Sequence, residues 1–258
     1  IYTSYIFLRI SWFSVNSLAN FIIAAFGSNL CFLLILKRHF FSFYLKKLLY
    51  SAIDGKTALF LSGGKTPKDA YSQLAFEQKI KPGIVAMVDE RVGIKNHPNS
   101  NERMIKETGL LSYLERKKIP FYPILRSHFK GVASDFVKDY DKKVRYLLGH
   151  FSKSVGVMGI GEDGHTAGLP SGIKNSKLKI QNYVAEIDDF PGDHKERITL
   201  TFNALSKMDT LIILAFGENK KEALRKMFEK GPIEEIPARF YTRPEISKKT
   251  ILITDQKI

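Results

Sequence analysis

Five short apolar runs constrain this chain most: residues 57–61, 83–88, 155–160, 210–216 and 250–254. Each is apolar nearly throughout instead of alternating, the pattern of a strand buried on both faces. Between them lie stretches with helical spacing: residues 40–53, the segment that begins around Pro67, residues 101–111, residues 134–148, and a Lys/Glu-rich stretch at 220–230. Residues 121–125 read as a further short strand. Buried strands alternating with helices predict an α/β fold, a Rossmann-like, mostly parallel sheet with helices on both faces. There are no internal repeats and no low-complexity linker, so residues 41–258 are expected to form one α/β domain.

Residues 1–40 stand apart as an atypical apolar segment. The first fifty residues carry five Lys and Arg and no Asp or Glu, and residues 18–36 form an uncharged run ahead of Lys37 and Arg38. Nineteen residues suffice to cross a bilayer, with the basic flank on the cytoplasmic side. Asn20, Gly27, Ser28 and Asn29 interrupt the run, and no small-residue cleavage site of a secretory signal is clear. Three readings stand open: a membrane anchor, a buried helix, or a non-native leader. A membrane contact is expected only through residues 18–36.

The net charge of +14 invites a nucleic-acid reading. The lysines are scattered among Glu and Asp, however, and no repeated module interleaves them with aromatics. A solvated basic surface that favours anionic small molecules is the expectation, with no nucleic-acid partner. The single Cys31 excludes an internal disulfide and fits a reducing compartment. No Cys/His cluster has zinc-ligand spacing, so no metal is expected.

In a sheet of this kind, ligands bind beyond the carboxyl ends of the strands, and the polar signatures fall there. Ser62, Gly63, Gly64, Lys65, Thr66 and Pro67 join a strand to a helix. Two glycines let the backbone approach an anion, and the helix N–H groups point at it. The segment reads equally as a phosphate cradle or as a tight turn. It is not a nucleotide P-loop, because the first glycine of that motif would have to stand at Leu59. Asp89, Glu90 and Arg91 end the next strand, either as a solvated loop or with Arg91 offering a fork of donors to a phosphate or oxyanion. Ser100 and Asn101 open a helix and read as an N-cap or as partners for sugar hydroxyls. Asp163 and His165 stand two residues apart in a glycine-rich turn after the strand at 155–160, an arrangement that can poise a proton carrier near neutral pH. Arg197 precedes an Ile-Thr-Leu-Thr run, and Lys220 lies at a strand-to-helix junction from which it can add a point charge to a phosphate site.

Taken in order, these segments resemble the 6-phosphogluconolactonase family, of the superfamily that also contains glucosamine-6-phosphate deaminase and ribose-5-phosphate isomerase (sugar-phosphate isomerase/CoA-transferase-like). The matching pieces are Ser62 to Pro67; Asp89, Glu90 and Arg91 with Ser100 and Asn101; Gly159 to Ala167; Arg197 to Thr201; and Gly217 to Lys220, with Pro237 and Ala238 as a weaker late match. They span roughly residues 41 to 258, and five motifs in order are far more specific than any one. Two positions depart from the family pattern. Lys65 stands where the family usually has Ser, and the residues after Ala167 read Gly-Leu-Pro-Ser-Gly instead of the usual Ser-Leu-Phe-Pro-Gly.

The resemblance implies hydrolysis of 6-phospho-D-glucono-1,5-lactone to 6-phospho-D-gluconate in the oxidative pentose phosphate pathway. No cofactor or metal is implied. It further implies a cytoplasmic monomer or small homo-oligomer, with a membrane-tethered form facing the cytoplasm as the alternative. His165 would carry the proton, Asp163 would orient it, and Arg91 would bind negative charge. Ser62, Gly63, Gly64, Lys65 and Thr66, with Arg197 and Lys220, would hold the phosphate, while Asp89, Ser100 and Asn101 complete the substrate site. Two alternatives are set against this. The amino-sugar phosphate deaminases carry an acid five residues after the His, where this chain has Pro170, and Tyr where it has Arg91. A non-catalytic sugar-phosphate sensor domain would bind without turnover, but no helix-turn-helix is evident in the first fifty residues.

Overall fold

The computed structural model describes residues 5–9, 31–35, 41–126, 133–174 and 181–257. In chain order the strands are β1 (Tyr5–Arg9), β2 (Cys31–Ile35), β3 (Thr57–Leu61), β4 (Ile84–Met87), β5 (Asp89–Arg91), β6 (Phe121–Tyr122), β7 (Lys153–Gly159), β8 (Val184–Ile187), β9 (Arg197–Leu200), β10 (Thr210–Ala215) and β11 (Thr250–Thr254). The helices are α1 (Phe41–Ala52), α2 (Lys65–Glu77), α3 (Asn101–Glu107), α4 (Leu110–Arg116), α5 (Ala133–His150), α6 (Phe202–Lys207), α7 (Lys221–Phe228) and α8 (Pro244–Ser247).

Eight strands pair in the order β1-β2-β11-β10-β7-β3-β4-β6, and every pairing is parallel. Every residue of β3, β4, β10 and β11 is buried, as continuous apolar strands covered on both faces should be. This is the expected α/β architecture. At the far edge β6 is only two residues long and pairs with Val85 and Ala86. Met87, one residue further, has no strand partner on that side. The buried Tyr140 hydroxyl of α5 takes its place, accepting from the Met87 N–H at 2.8 Å and donating to the Met87 carbonyl.

At the opposite edge, β2 pairs with β11 and β1 with β2, so the sheet takes in segments that the sequence places before the α/β domain. Of the apolar run at 18–36, residues 31–35 are this strand, and the rest lies outside the described residues. Among the described residues, no helix is long and apolar enough to cross a membrane.

The strand order places the site. From β3 the chain moves outward to β4 and β6, then returns to the other side of β3 as β7 and continues to β10 and β11. The direction of winding reverses between β3 and β7, and such a switch point opens a crevice at the carboxyl ends of the strands. Registers of Leu61 with Met87, Leu61 with Val157, and Leu214 with Gly159 bring the ends of four adjacent strands to one side of the molecule. A second, three-stranded antiparallel sheet, β5-β9-β8, stands next to those ends. It pairs Asp89 with Thr199, Glu90 with Ile198 and Arg91 with Arg197.

Helix boundaries follow local chemistry. The helical stretch expected at 101–111 breaks in two, because Gly109 adopts φ 79 and starts α4 anew. A side chain pointing from most L-residues would be strained at that angle. Ser100 caps α3 through its hydroxyl, which accepts from the Arg103 N–H at 3.1 Å.

Candidate active site

The carboxyl ends of β3, β4, β7 and β10 and the β5–β9 pair surround a cavity of about 740 Å³. Of the residues expected in the site, Ser62, Gly63, Gly64, Lys65, Thr66, Asp89, Arg91, Asn101, Asp163, His165, Arg197 and Lys220 line it. Ser100 does not. Its hydroxyl is turned into the protein, donating to Glu90 Oε2 at 2.9 Å while capping α3. Its expected place beside the substrate therefore gives way to the capping role.

The β3 end is shaped by backbone. Gly64 adopts φ 97 and precedes α2 without any side-chain cap, leaving the first N–H groups of a 13-residue helix without an intrahelical partner. Lys65 and Lys68 stand in that first turn, where the helix dipole disfavours cations and favours an anion. The Ser62 hydroxyl is buried with no hydrogen-bond partner among the described residues. An L-side chain at Gly63 would meet Asn101 Oδ1 at 1.9 Å, so glycine here lets the loop lie directly on Asn101.

The β4 end is organised by strand alternation. Successive residues of β5 face opposite ways, which separates Asp89 and Arg91 from Glu90. Glu90 points inward and accepts from the N–H groups of Arg91 (2.8 Å), Asn101 (2.7 Å) and Glu102 (2.8 Å), besides Ser100. Burial pushes its carboxyl up, and these donors oppose that. Glu90 thus ties β5 to the start of α3. Asp89 faces the cavity, where Asn101 Nδ2 donates to its Oδ2 at 3.0 Å. Burial raises the Asp89 carboxyl, against the charges of Arg91 and Arg197. Arg91 Nη1 donates to the Asn99 carbonyl at 2.7 Å and to Asn101 Oδ1 at 2.6 Å, while its buried Nε has no partner among the described residues.

Arg91 and Arg197 are direct cross-strand partners. Like charges in that position repel, and burial together with the Arg91 charge lowers the Arg197 pKa. Arg197 Nε donates to the His194 carbonyl at 3.1 Å, and its guanidinium carbon lies 4.1 Å from the Phe190 ring centroid. Both arginines line the cavity and bring positive charge to it, partly balanced by Asp89.

The β7 end carries the titratable pair. Asp163 Oδ1 lies 2.6 Å from His165 Nδ1 and also accepts the His165 N–H at 3.2 Å. Burial opposes ionisation of Asp163, but the hydrogen bonds and charge of His165 outweigh it and hold the carboxyl at about 2. Because the carboxylate can only accept, Nδ1 carries the proton and Nε2 is the basic nitrogen of the neutral ring. Among the described residues, no hydrogen bond reaches Nε2. Gly161 makes this possible: an added Cβ would lie 2.0 Å from His165 Nδ1. The turn is closed by the Gly161 N–H donating to the His165 carbonyl at 2.8 Å. Behind it, Thr166 Oγ1 donates to the Gly159 carbonyl at 3.0 Å and lies 2.7 Å from the buried Tyr241 hydroxyl.

At the β10 end, the Gly217 N–H donates to Asp255 Oδ1 at 2.9 Å, and the 3-10 turn Glu218–Lys220 follows. Asn219 donates to Glu162, tying this loop to the β7 loop. Burial lowers the Lys220 pKa, opposed by Glu162 and Asp163. Phe190, Pro191, Glu162 and Asn219 also line the cavity. Asn219 belongs to the Gly217–Lys220 loop and Glu162 to the glycine turn, both of which carry a sequence signal. Phe190 sits in an irregular Pro/Gly stretch with no periodicity and had no signal.

The fold and cavity together define an α/β protein with a basic, anion-ready pocket and a carboxylate-oriented histidine at the switch point of its sheet. A family model described as glucosamine-6-phosphate isomerases/6-phosphogluconolactonase matches residues 41–251, and the chain belongs to that family. Among curated relatives, a 6-phosphogluconolactonase of Chlamydia pneumoniae is 30% identical over 172 residues, covering 65% of this chain and 63% of that protein. A 6-phosphogluconolactonase of Synechocystis is 29% identical over 198 residues, covering 72% and 78%. The solved structure of 6-phosphogluconolactonase from Plasmodium vivax superposes with a TM-score of 0.69 at 20% identity, covering 88% of this chain and 89% of that one. The last likeness speaks for the fold.

Proposed function

We propose that this chain hydrolyses 6-phospho-D-glucono-1,5-lactone to 6-phospho-D-gluconate in the oxidative pentose phosphate pathway. The observation that carries the reading is the His165–Asp163 pair, 2.6 Å apart, on the wall of a cavity lined by Arg91, Arg197, Lys65 and Lys220. The names of the curated relatives support the same substrate.

Lactone hydrolysis requires a water made nucleophilic, a place for the negative charge of the tetrahedral adduct, and a proton for the leaving ring oxygen. His165 Nε2 takes a proton from water as the hydroxide adds to C1. The C1–O5 bond then breaks, and the imidazolium returns that proton to O5. Asp163 stabilises the imidazolium between the two transfers and keeps Nδ1–H fixed. Arg91, with backbone N–H groups of Gly63 and Gly64, holds the oxyanion. Arg197 and Lys220, together with Ser62, Lys65 and Thr66, hold the 6-phosphate. Asp89 and Asn101 face the sugar hydroxyls. We further propose a cytoplasmic setting, as the single Cys31 fits a reducing compartment, and action as a monomer or small homo-oligomer.

The test is lactone hydrolysis by the purified protein, followed by NMR and corrected for the spontaneous reaction, beside ammonia release from glucosamine 6-phosphate. Accelerated lactone opening without ammonia is expected. Ammonia release without lactone acceleration would assign the deaminase reaction instead, and neither activity would leave a sugar-phosphate sensor.

A further inference from the structure

Phe190 stands between two functional groups that come from different loops. Its ring faces the Arg197 guanidinium at 4.1 Å and meets the His165 imidazole at 5.1 Å between centroids, with the planes at 80°. It is only 7% exposed. Its other neighbours are Leu169, Ile173 and Ile187, a small apolar cluster separate from the main core. Leu169 and Ile173 follow His165 on the β7 loop, while Ile187 ends β8, just before the loop that carries Phe190 and leads into Arg197. The cluster therefore fastens these two loops together, and Phe190 is the member that reaches the chemistry.

Among the described residues each partner has a side-chain hydrogen bond at one nitrogen. His165 is tied through Nδ1 to Asp163 and lies against the Gly161 backbone, which leaves its other side for Phe190. Arg197 is tied through Nε to the His194 carbonyl, which leaves its flat face open. An aromatic face suits a buried guanidinium, and a perpendicular ring contact limits imidazole rotation. We propose that Phe190 is a positioning residue that sets the His165 ring and the Arg197 guanidinium at a fixed separation, so that a phosphate held by Arg197 presents the reacting carbon to His165. The inference rests on the reading of His165 and Arg197 as the proton-transfer and phosphate-holding groups of the proposed hydrolysis.

Two substitutions test it. Phe190→Leu keeps apolar volume against Leu169 and Ile173 but removes the flat ring, whereas Phe190→Tyr keeps the ring. Phe190→Leu is expected to lower kcat for the lactone by about tenfold or more, since small misplacements of reacting groups are costly, and to raise KM. Phe190→Tyr should stay near the unaltered protein in both. A second readout needs no lactone. Titration with inorganic phosphate should move the His165 imidazole NMR resonances in the unaltered protein and in Phe190→Tyr, and much less in Phe190→Leu. Unchanged kcat and KM in Phe190→Leu, or equal losses in the Leu and Tyr variants, would overturn the positioning role while leaving the lactonase reading intact. Phosphate-dependent His165 shifts that vanish in Phe190→Leu, in a protein that opens no lactone, would keep the positioning role and remove the lactonase reading.

Discussion

In the eight-stranded sheet, β3, β4, β10 and β11 are wholly out of solvent. The three-stranded sheet beside it puts Asp89, Glu90, Arg91 and Arg197 into two of its strands, with the two arginines directly opposed. The first sheet is held by apolar burial and positions four strand ends. The second joins buried apolar residues of β8 and β9 to the hydrogen-bonded Glu90, and presents charge to the cavity those ends surround. The contrast separates strands that only carry the core from strands that also bring charge to the cavity, where Asp89 and Glu90 offset part of the repulsion between Arg91 and Arg197.

The largest expected effect on stability lies in the parallel sheet. Leu59→Ala at the centre of β3, where the side chain is fully buried, should cost about 2–5 kcal/mol of unfolding free energy. Chemical denaturation measures this, and kcat of the folded fraction should stay near that of the unaltered protein. Next comes Asp163→Asn, which removes the charge that supports the imidazolium and can turn an amide N–H toward Nδ1, favouring the other tautomer, and should lower kcat by about a hundredfold. Its stability effect has a defined sign. The Asp163 carboxyl titrates at about 2 in the fold against 3.8 for an ordinary aspartate, so its contribution is complete above about pH 4 and is lost as pH falls through 2. Acid denaturation of the Asn variant should lack that component.

Arg197→Ala should lower kcat/KM by roughly tenfold to a hundredfold, mainly through KM, because a charge-assisted phosphate contact is lost. It should cost less stability than Leu59→Ala, since relief of the repulsion from Arg91 offsets part of the charge lost beside buried Asp89. A loss of stability as large as that of Leu59→Ala would break the distinction between the sheets. Glu90→Gln should cost about 1–3 kcal/mol, because an amide nitrogen cannot accept the donors that one carboxylate oxygen now takes. That loss would show that the small sheet is fastened by Glu90, not by its arginines.

The same contrast explains what could be read from the residues alone. Apolar runs at 57–61, 210–216 and 250–254 match β3, β10 and β11 closely, because burial on both faces leaves a local trace that needs no partner to interpret. Asp89 to Arg91 reads either as a solvated loop or as a place where Arg91 meets an anion, because three consecutive charges carry no strand signal. Only the pairing with β9 turns Glu90 inward and the other two toward the cavity. Ser100 is a sound candidate by type, yet Glu90 captures its hydroxyl. His165 is legible through its glycine turn, whereas Phe190 acts through residues distant in sequence and leaves no motif. Lys65, expected in a phosphate loop from its place after two glycines, lines the cavity where the helix end and strand end coincide.

The account turns on His165 as the group that moves the proton, with Nε2 basic because Asp163 holds Nδ1–H. Its most direct test is the kcat of His165→Ala on the lactone, with folding verified by circular dichroism and the spontaneous rate subtracted. A fall of about a hundredfold or more is the expected result; near-full activity in the variant would contradict it.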